Sequence, residues 1–197
     1  VPKDNAVEAA VVGGLNVYGV ENVKQLILHL TGEKLIDKQP ITVIKNEDNI
    51  TVPDFCDVKG QLAAKKAMEI AAAGGHNIIL VGPPGAGKSM LAKRLPGIMP
   101  DMTFEEAIET TKIHSVAGVL DKTKPFVSQR PFRSPHHTVS VAGVAGGGTM
   151  PKPGEISLAH NGIFFADEFC EAPKRALEAL RGPMEDRKVV ISRLKSK

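Results

Sequence analysis

The sequence predicts an α/β domain built on a parallel sheet around a phosphate-binding loop, and three observations carry that class. Gly82-Pro83-Pro84-Gly85-Ala86-Gly87-Lys88-Ser89 is a complete G-x-x-x-x-G-K-S loop, and the apolar stretch His76–Val81 precedes it as a buried strand would. A second apolar run, Ile163–Ala166, ends in the acids Asp167 and Glu168. The order strand, loop, helix, strand, helix is that of a βαβ unit, which places its ligand beyond the carboxyl ends of the strands.

Along the chain, residues 1–33 read as the tail of an upstream domain. Ala6 to Val12 and Glu21 to Leu30 are short helical patterns around Leu15–Tyr18, with too little apolar surface for a core. Residues 34–53 are polar, carry Pro40, Pro53 and the run Lys45–Asn49, and read as a linker. The nucleotide-binding core is expected over 54–197. It opens with a helix from Gln61 to Ala73, with Leu62, Ala63, Ala67, Ile70 and Ala71 on one face and Gly74-Gly75 as its stop. After the loop, a helix from Lys88 runs to the Pro96-Gly97 break. Thr103, with Glu106 three residues later, is a capping box that opens a helix to about Ile113.

Periodicity is lost from His114 to Pro153, a stretch rich in Pro and Gly. It returns with a short helix over Glu155–Ala159, the strand Gly162–Ala166 and a helix entered through Pro173, with Ala176, Leu177, Ala179 and Leu180 as its packing face. Lys188–Ser192 reads as half of a hairpin.

Composition narrows the function classes. With seven Phe, one Tyr and no Trp among 197 residues, an aromatic stacking platform for single-stranded nucleic acid is not supported. A net charge of +3 is too small to argue for a polyanionic partner, although Arg187, Lys188, Arg193, Lys195 and Lys197 crowd the last residues. Cys56 and Cys170 are isolated thiols, as in a reducing compartment. No apolar run approaches a membrane span and no secretory leader is visible, so the expectation is a cytoplasmic protein without membrane contact.

The chemistry of the loop follows from its residue types. Gly82, Gly85 and Gly87 let the backbone turn sharply against a phosphate, with Pro83, Pro84, Ala86 and Met90 completing the cradle. Lys88 brings charge to the β/γ oxygens, and the Ser89 hydroxyl is suited to ligate Mg²⁺. Hydrolysis further needs one carboxylate for the metal and one to polarise water; Asp167 is assigned to the first task and Glu168 to the second.

These residues also carry a resemblance. Phe55-Cys56-Asp57-Val58-Lys59-Gly60-Gln61 resembles the opening signature of AAA+ ATPases, whose backbone passes near the adenine. Gly74–Pro96, Arg130–Thr138, Pro153–Gly162 and Leu177–Asp186 are similar to the ComM/YifB-type, magnesium-chelatase-like branch, a match over about residues 53–193. The resemblance implies a P-loop NTPase core of the AAA+ kind with an insertion around its second helix, preceded by a Lon-protease-like domain of which residues 1–33 resemble the tail. It implies ATP as nucleotide, Mg²⁺ as cofactor, a homo-oligomeric hexameric ring, and DNA as a possible partner through branch migration. A metal-chelatase motor, or an assembly module without productive turnover, stays open beside it. The sensor-1 strand, arginine finger and helical lid of such proteins are expected outside this chain, so the core is read as truncated before the lid and as binding nucleotide better than it hydrolyses it. Two positions depart from the family pattern: Phe169-Cys170 replaces Leu-Pro, and Arg187 replaces a glycine at a turn that favours positive φ.

Two further segments invite a functional reading. Arg130, Arg133, His136 and His137 form a cationic cluster suited to contact phosphates of DNA or a neighbouring subunit, and an interface or structural role fits it better than a metal site, since no Cys or acid is spaced to complete one. Lys152, beside the glycine-rich 145–154 stretch, reads equally as a pore-loop contact to a phosphate backbone and as a surface turn.

Overall fold

The computed structural model describes residues 1–12, 14–41, 53–121, 126–148 and 151–190, the Phe169 side chain excepted. The expectations for residues 42–52 of the linker, for Thr149 and Met150, and for Ile191 to Lys197 lie outside them. The chain divides into two compact units, Val1–Asn49 with Asp121–Ser128, and Ile50–Leu120 with Gln129–Lys197.

In the first unit a short helix α1 (Ala6–Ala9) is followed by α2 (Val23–Leu30), which starts where the Asn22 side chain accepts from the Gln25 amide at 2.9 Å. Its small core gathers Ala6, Ala10 and Val17. Pro2 and Val20 form a parallel bridge that ties the start of the chain to the segment before α2.

The second unit is mixed α/β and opens with α3 (Leu62–Gly74), which ends at Gly75 in the left-handed conformation. Of the face expected for α3, only Ala71 is buried. Met68 and Ala71 are buried with Ala64 beside them, while Leu62 and Ile70 are exposed. Ala64, Met68 and Ala71 are spaced four and three apart, so they form a helical stripe as valid as the predicted one. Met68 decides between the two because it fills the core made by Phe55, Val58 and Leu91, a burial worth about 1.5–3 kcal/mol.

The expected buried strand at His76–Val81 is absent: the segment is irregular, Ile78, Ile79 and Val81 are exposed, and Leu80 alone of the four aliphatic residues joins the core. Apolar runs report a tendency to be buried, but a strand also needs a ladder, and among the described residues none pairs with this one. Next, α4 (Lys88–Ala92) is shorter than expected and passes into a 3-10 turn at Leu95–Ile98, where Pro96 withholds a helical N–H. By contrast, α5 (Phe104–Ala117) outruns its expected end. Both bonds of its capping box form: Thr103 Oγ1 accepts from the Glu106 amide at 3.2 Å, and Glu106 Oε2 accepts from the Thr103 amide at 2.9 Å.

The stretch without periodicity holds several short elements. These are strand β1 (Phe132–Arg133), helix α6 (Val141–Ala145) capped by Ser140, and the antiparallel pair β2 (Gly146–Gly147) and β3 (Lys152–Pro153). Then follow α7 (Glu155–Leu158), strand β4 (Ile163–Phe164) and α8 (Lys174–Asp186), which buries Ala176 and half-buries Leu177, Ala179 and Leu180 as expected. Two-residue strands escape a periodicity test that needs four or more positions.

The parallel sheet joins β1 to β4, with Phe132 opposite Ile163 and Arg133 opposite Phe164. Close approach at its start depends on Gly162, where a Cβ would stand 2.1 Å from the Pro131 carbonyl that accepts from the Ile163 amide. Arg130 anchors the same corner. Its guanidinium donates to the carbonyls of Pro100 (2.6 Å), Asn161 (2.7 Å) and Asp101 (3.3 Å) and to Glu106 Oε2 (3.1 Å).

Candidate nucleotide site

The phosphate loop, Gly82 to Ser89, leaves the irregular segment and turns into α4 at Gly87, whose φ of 82° is left-handed backbone that a side chain resists. A Cβ there would also crowd Met90 Cε at 3.2 Å, a contact the flexible methionine can relieve, so it is the backbone conformation that calls for glycine. Downstream the loop is held by Leu91 and Ala92, both buried.

Lys88 bends back over its own loop. Its ammonium donates to the carbonyls of Gly82 (2.8 Å) and Pro83 (2.9 Å), which brings the charge against the main chain that the motif wraps around a phosphate. Ser89 Oγ donates to Asp167 Oδ2 at 2.8 Å, joining two residues 78 positions apart. Hydroxyl and carboxylate thus stand side by side, the hard oxygen donors that Mg²⁺ selects. The residues present therefore fit a Mg²⁺-nucleotide: the cation's donors are adjacent and the ammonium sits one residue away.

Glu168 follows Asp167 but turns elsewhere. Its φ of 51° rotates the chain after the strand, and its carboxylate meets His137 Nδ1 at 3.0 Å. The two acids therefore face different groups, Asp167 the loop serine and Glu168 a histidine. The sequence pointed to no acidic partner for His137, because that partner comes from a distant turn. His136 packs against His137 with ring centroids 4.0 Å apart and meets Thr138 Oγ1 through Nδ1 at 2.9 Å.

Gln61 closes the Phe55–Gln61 signature, but motif reading gave its side chain no task. Standing at a left-handed φ of 54°, it donates through Nε2 to the Ala86 carbonyl at 3.2 Å and so ties the 55–61 segment to the phosphate loop. That segment is anchored to the unit: Phe55 and Val58 are buried, and the Lys65 ammonium on α3 donates to both of their carbonyls. Cys56 nearby is exposed, and its thiol is pushed up to about 11 by hydrogen bonding to Asp54 and by the negative charges around it.

The cationic cluster is spent internally. Arg130 is committed as described, and Arg133 grips Glu155 in a fork, Nε to Oε2 at 2.7 Å and Nη2 to Oε1 at 2.8 Å. That hydrogen-bonded carboxylate raises the Arg133 guanidinium above its ordinary value. Lys152 is exposed at the start of β3.

The family profile described as Magnesium chelatase, subunit ChlI, matches residues 54–197. An uncharacterised protein of Mycobacterium tuberculosis is 45% identical over 194 residues, covering 98% of this chain and 38% of that protein. Competence protein ComM of Haemophilus influenzae is 44% identical over 205 residues, covering 100% of this chain and 39% of the relative. The chain belongs to the magnesium-chelatase-like family. Uncharacterised protein YifB of Escherichia coli, 41% identical over 198 residues with 100% and 38% covered, places it with the ComM and YifB members. The chain thus spans under two-fifths of the length of these relatives.

Against the family pattern, Phe169-Cys170 opens a 3-10 turn that leaves Cys170 exposed. Arg187 occupies the left-handed C-cap of α8 at φ 54°, the conformation for which the family glycine is suited. Among the described residues, no helix is long and apolar enough to cross a membrane.

Proposed function

We propose that this chain is the Mg²⁺-ATP-binding core of an ATPase of the AAA+ kind. The observation that carries the reading is the 2.8 Å contact between Ser89 of the phosphate loop and Asp167, in the turn three residues past β4, which supports the pairing of loop and acid that phosphoryl transfer needs. Residues Gly82 to Met90 hold the triphosphate, with Lys88 neutralising its terminal oxygens. Ser89 and Asp167 hold Mg²⁺, which when bound offsets charge on the phosphates. Glu168 orients the attacking water and takes up its proton.

The whole protein works as a hexameric ring in the cytoplasm and drives DNA remodelling, a reading supported by the likeness to a competence protein. A chelatase motor is the second reading, favoured by the family description that residues 54–197 match. Glu168→Gln in the full-length protein decides the enzymatic part. Binding of a fluorescent ATP analogue should persist while ATP turnover falls at least about a hundredfold, within the range of general-base effects. Turnover equal to wild type removes Glu168 from the mechanism. Stimulation of wild-type turnover by branched DNA supports remodelling, and indifference to it favours the chelatase motor.

A further inference from the structure

The contact between His137 and Glu168 has no task in the scheme above. Its two partners differ in freedom: 62% of the Glu168 side chain is exposed, against 29% for His137. The histidine is packed. Its ring lies against His136, which Thr138 holds in turn, and it lines a small, partly open cavity of about 30 Å³ walled by Pro135, Val139, Phe164 and Leu177. The glutamate projects from a left-handed turn closed by the Glu171 amide donating to the Glu168 carbonyl at 2.8 Å. At 3.0 Å the imidazole donates from Nδ1 and Glu168 Oε2 accepts. Asp167 does not compete for the same donor, because its Oδ2 accepts from Ser89 and its Oδ1 from the Glu168 amide.

We propose that His137 is the positioning residue for Glu168: the packed imidazole pins Oε2 and leaves Oε1 as the oxygen that meets water. The inference rests on the reading of Glu168 as the water-orienting base. His137 touches neither nucleotide nor water in this scheme and acts through the carboxylate alone. An unpinned, exposed glutamate spreads over many rotamers, and restricting that freedom is worth on the order of tenfold in the productive population. Misplacement of a reacting group reaches a similar or larger penalty in rate.

The test compares His137→Leu, which keeps bulk without a donor, with His137→Asn, which keeps an N–H donor in less volume, in the full-length protein. Steady-state ATP turnover and the affinity for a fluorescent ATP analogue are read for both, beside wild type and Glu168→Gln. His137→Leu should lower kcat about tenfold while KM and analogue affinity stay within about twofold, and His137→Asn should recover most of the loss. Wild-type kcat in His137→Leu overturns the proposal. Equal losses in both variants, or a loss in affinity or folding instead of kcat, also overturn it, because packing alone explains them. Full turnover in Glu168→Gln, or none in wild type, refutes the underlying reading; a fall in Glu168→Gln with intact His137→Leu refutes only the positioning role.

Discussion

Replacing Arg130 with Ala should damage the fold rather than any charged partner's binding. The side chain is 11% exposed and feeds three main-chain carbonyls and Glu106, two of those contacts at 2.6 and 2.7 Å. Removing one member of a buried, hydrogen-bonded ion pair costs about 3–5 kcal/mol. Glu106 is 34% exposed and rehydrates in part, which lowers the expected cost to about 3 kcal/mol. For a chain of this size each kcal/mol shifts Tm by about 2–4 °C, so the variant should melt roughly 6–12 °C below wild type. Thermal unfolding followed by circular dichroism measures this directly, and Arg130→Lys, which keeps the charge without the fork, should fall between the two. Most of the shift should persist at high salt, because three of the four contacts are to uncharged main-chain carbonyls that ions do not screen. Melting of Arg130→Ala within about 2 °C of wild type would show that these four contacts contribute nothing net.

Arg187→Gly should stabilise the end of α8, because glycine adopts φ 54° without the steric cost of a Cβ. The expected gain is about 0.5–1 kcal/mol after the entropy of the freer unfolded chain is subtracted, visible as a rise in the denaturant midpoint at constant m. No rise, or a fall, would mean that the arginine side chain makes up the strain. Cys56, with its thiol near 11, should alkylate slowly around neutral pH and speed up as pH climbs toward that value, since the thiolate is the nucleophile. Asp54→Asn removes the main cause and should accelerate labelling at neutral pH; mass spectrometry that finds Cys56 already fully modified there in the native protein would contradict the assignment.

The parts of the molecule that were legible are those where chemistry demands fixed residue types at fixed spacing. The phosphate loop, the capping box at Thr103 and the α8 face from Ala176 to Leu180 are of this kind, since local geometry alone selects their residues. Fold class was legible only coarsely. A parallel sheet is present, yet its β1 partner was hidden in a stretch too short for alternation to register, and His76–Val81 has apolar content without a ladder. Apart from Ser89 and Asp167, which the motifs pair through a shared cation, polar contacts across long separations stayed invisible. Arg130 reaches Asn161 and Glu106, 31 and 24 positions away, and Gln61 reaches Ala86 across 25. Such bonds leave no period in the chain, because a hydrogen bond needs one donor and one acceptor and not a repeating face. For the same reason the contact of Glu168 with His137 could not be foreseen, although both residues stood out singly.

Glu168 also sits on backbone that any L-residue other than glycine occupies at a cost of about 1 kcal/mol or more, as is common where chains are bent to serve chemistry. Selection for heat resistance alone would therefore erode this position, drifting toward glycine and, on the reading of Glu168 proposed above, yielding a sturdier but idle protein. Breeding a hardier variant requires that turnover be scored alongside survival.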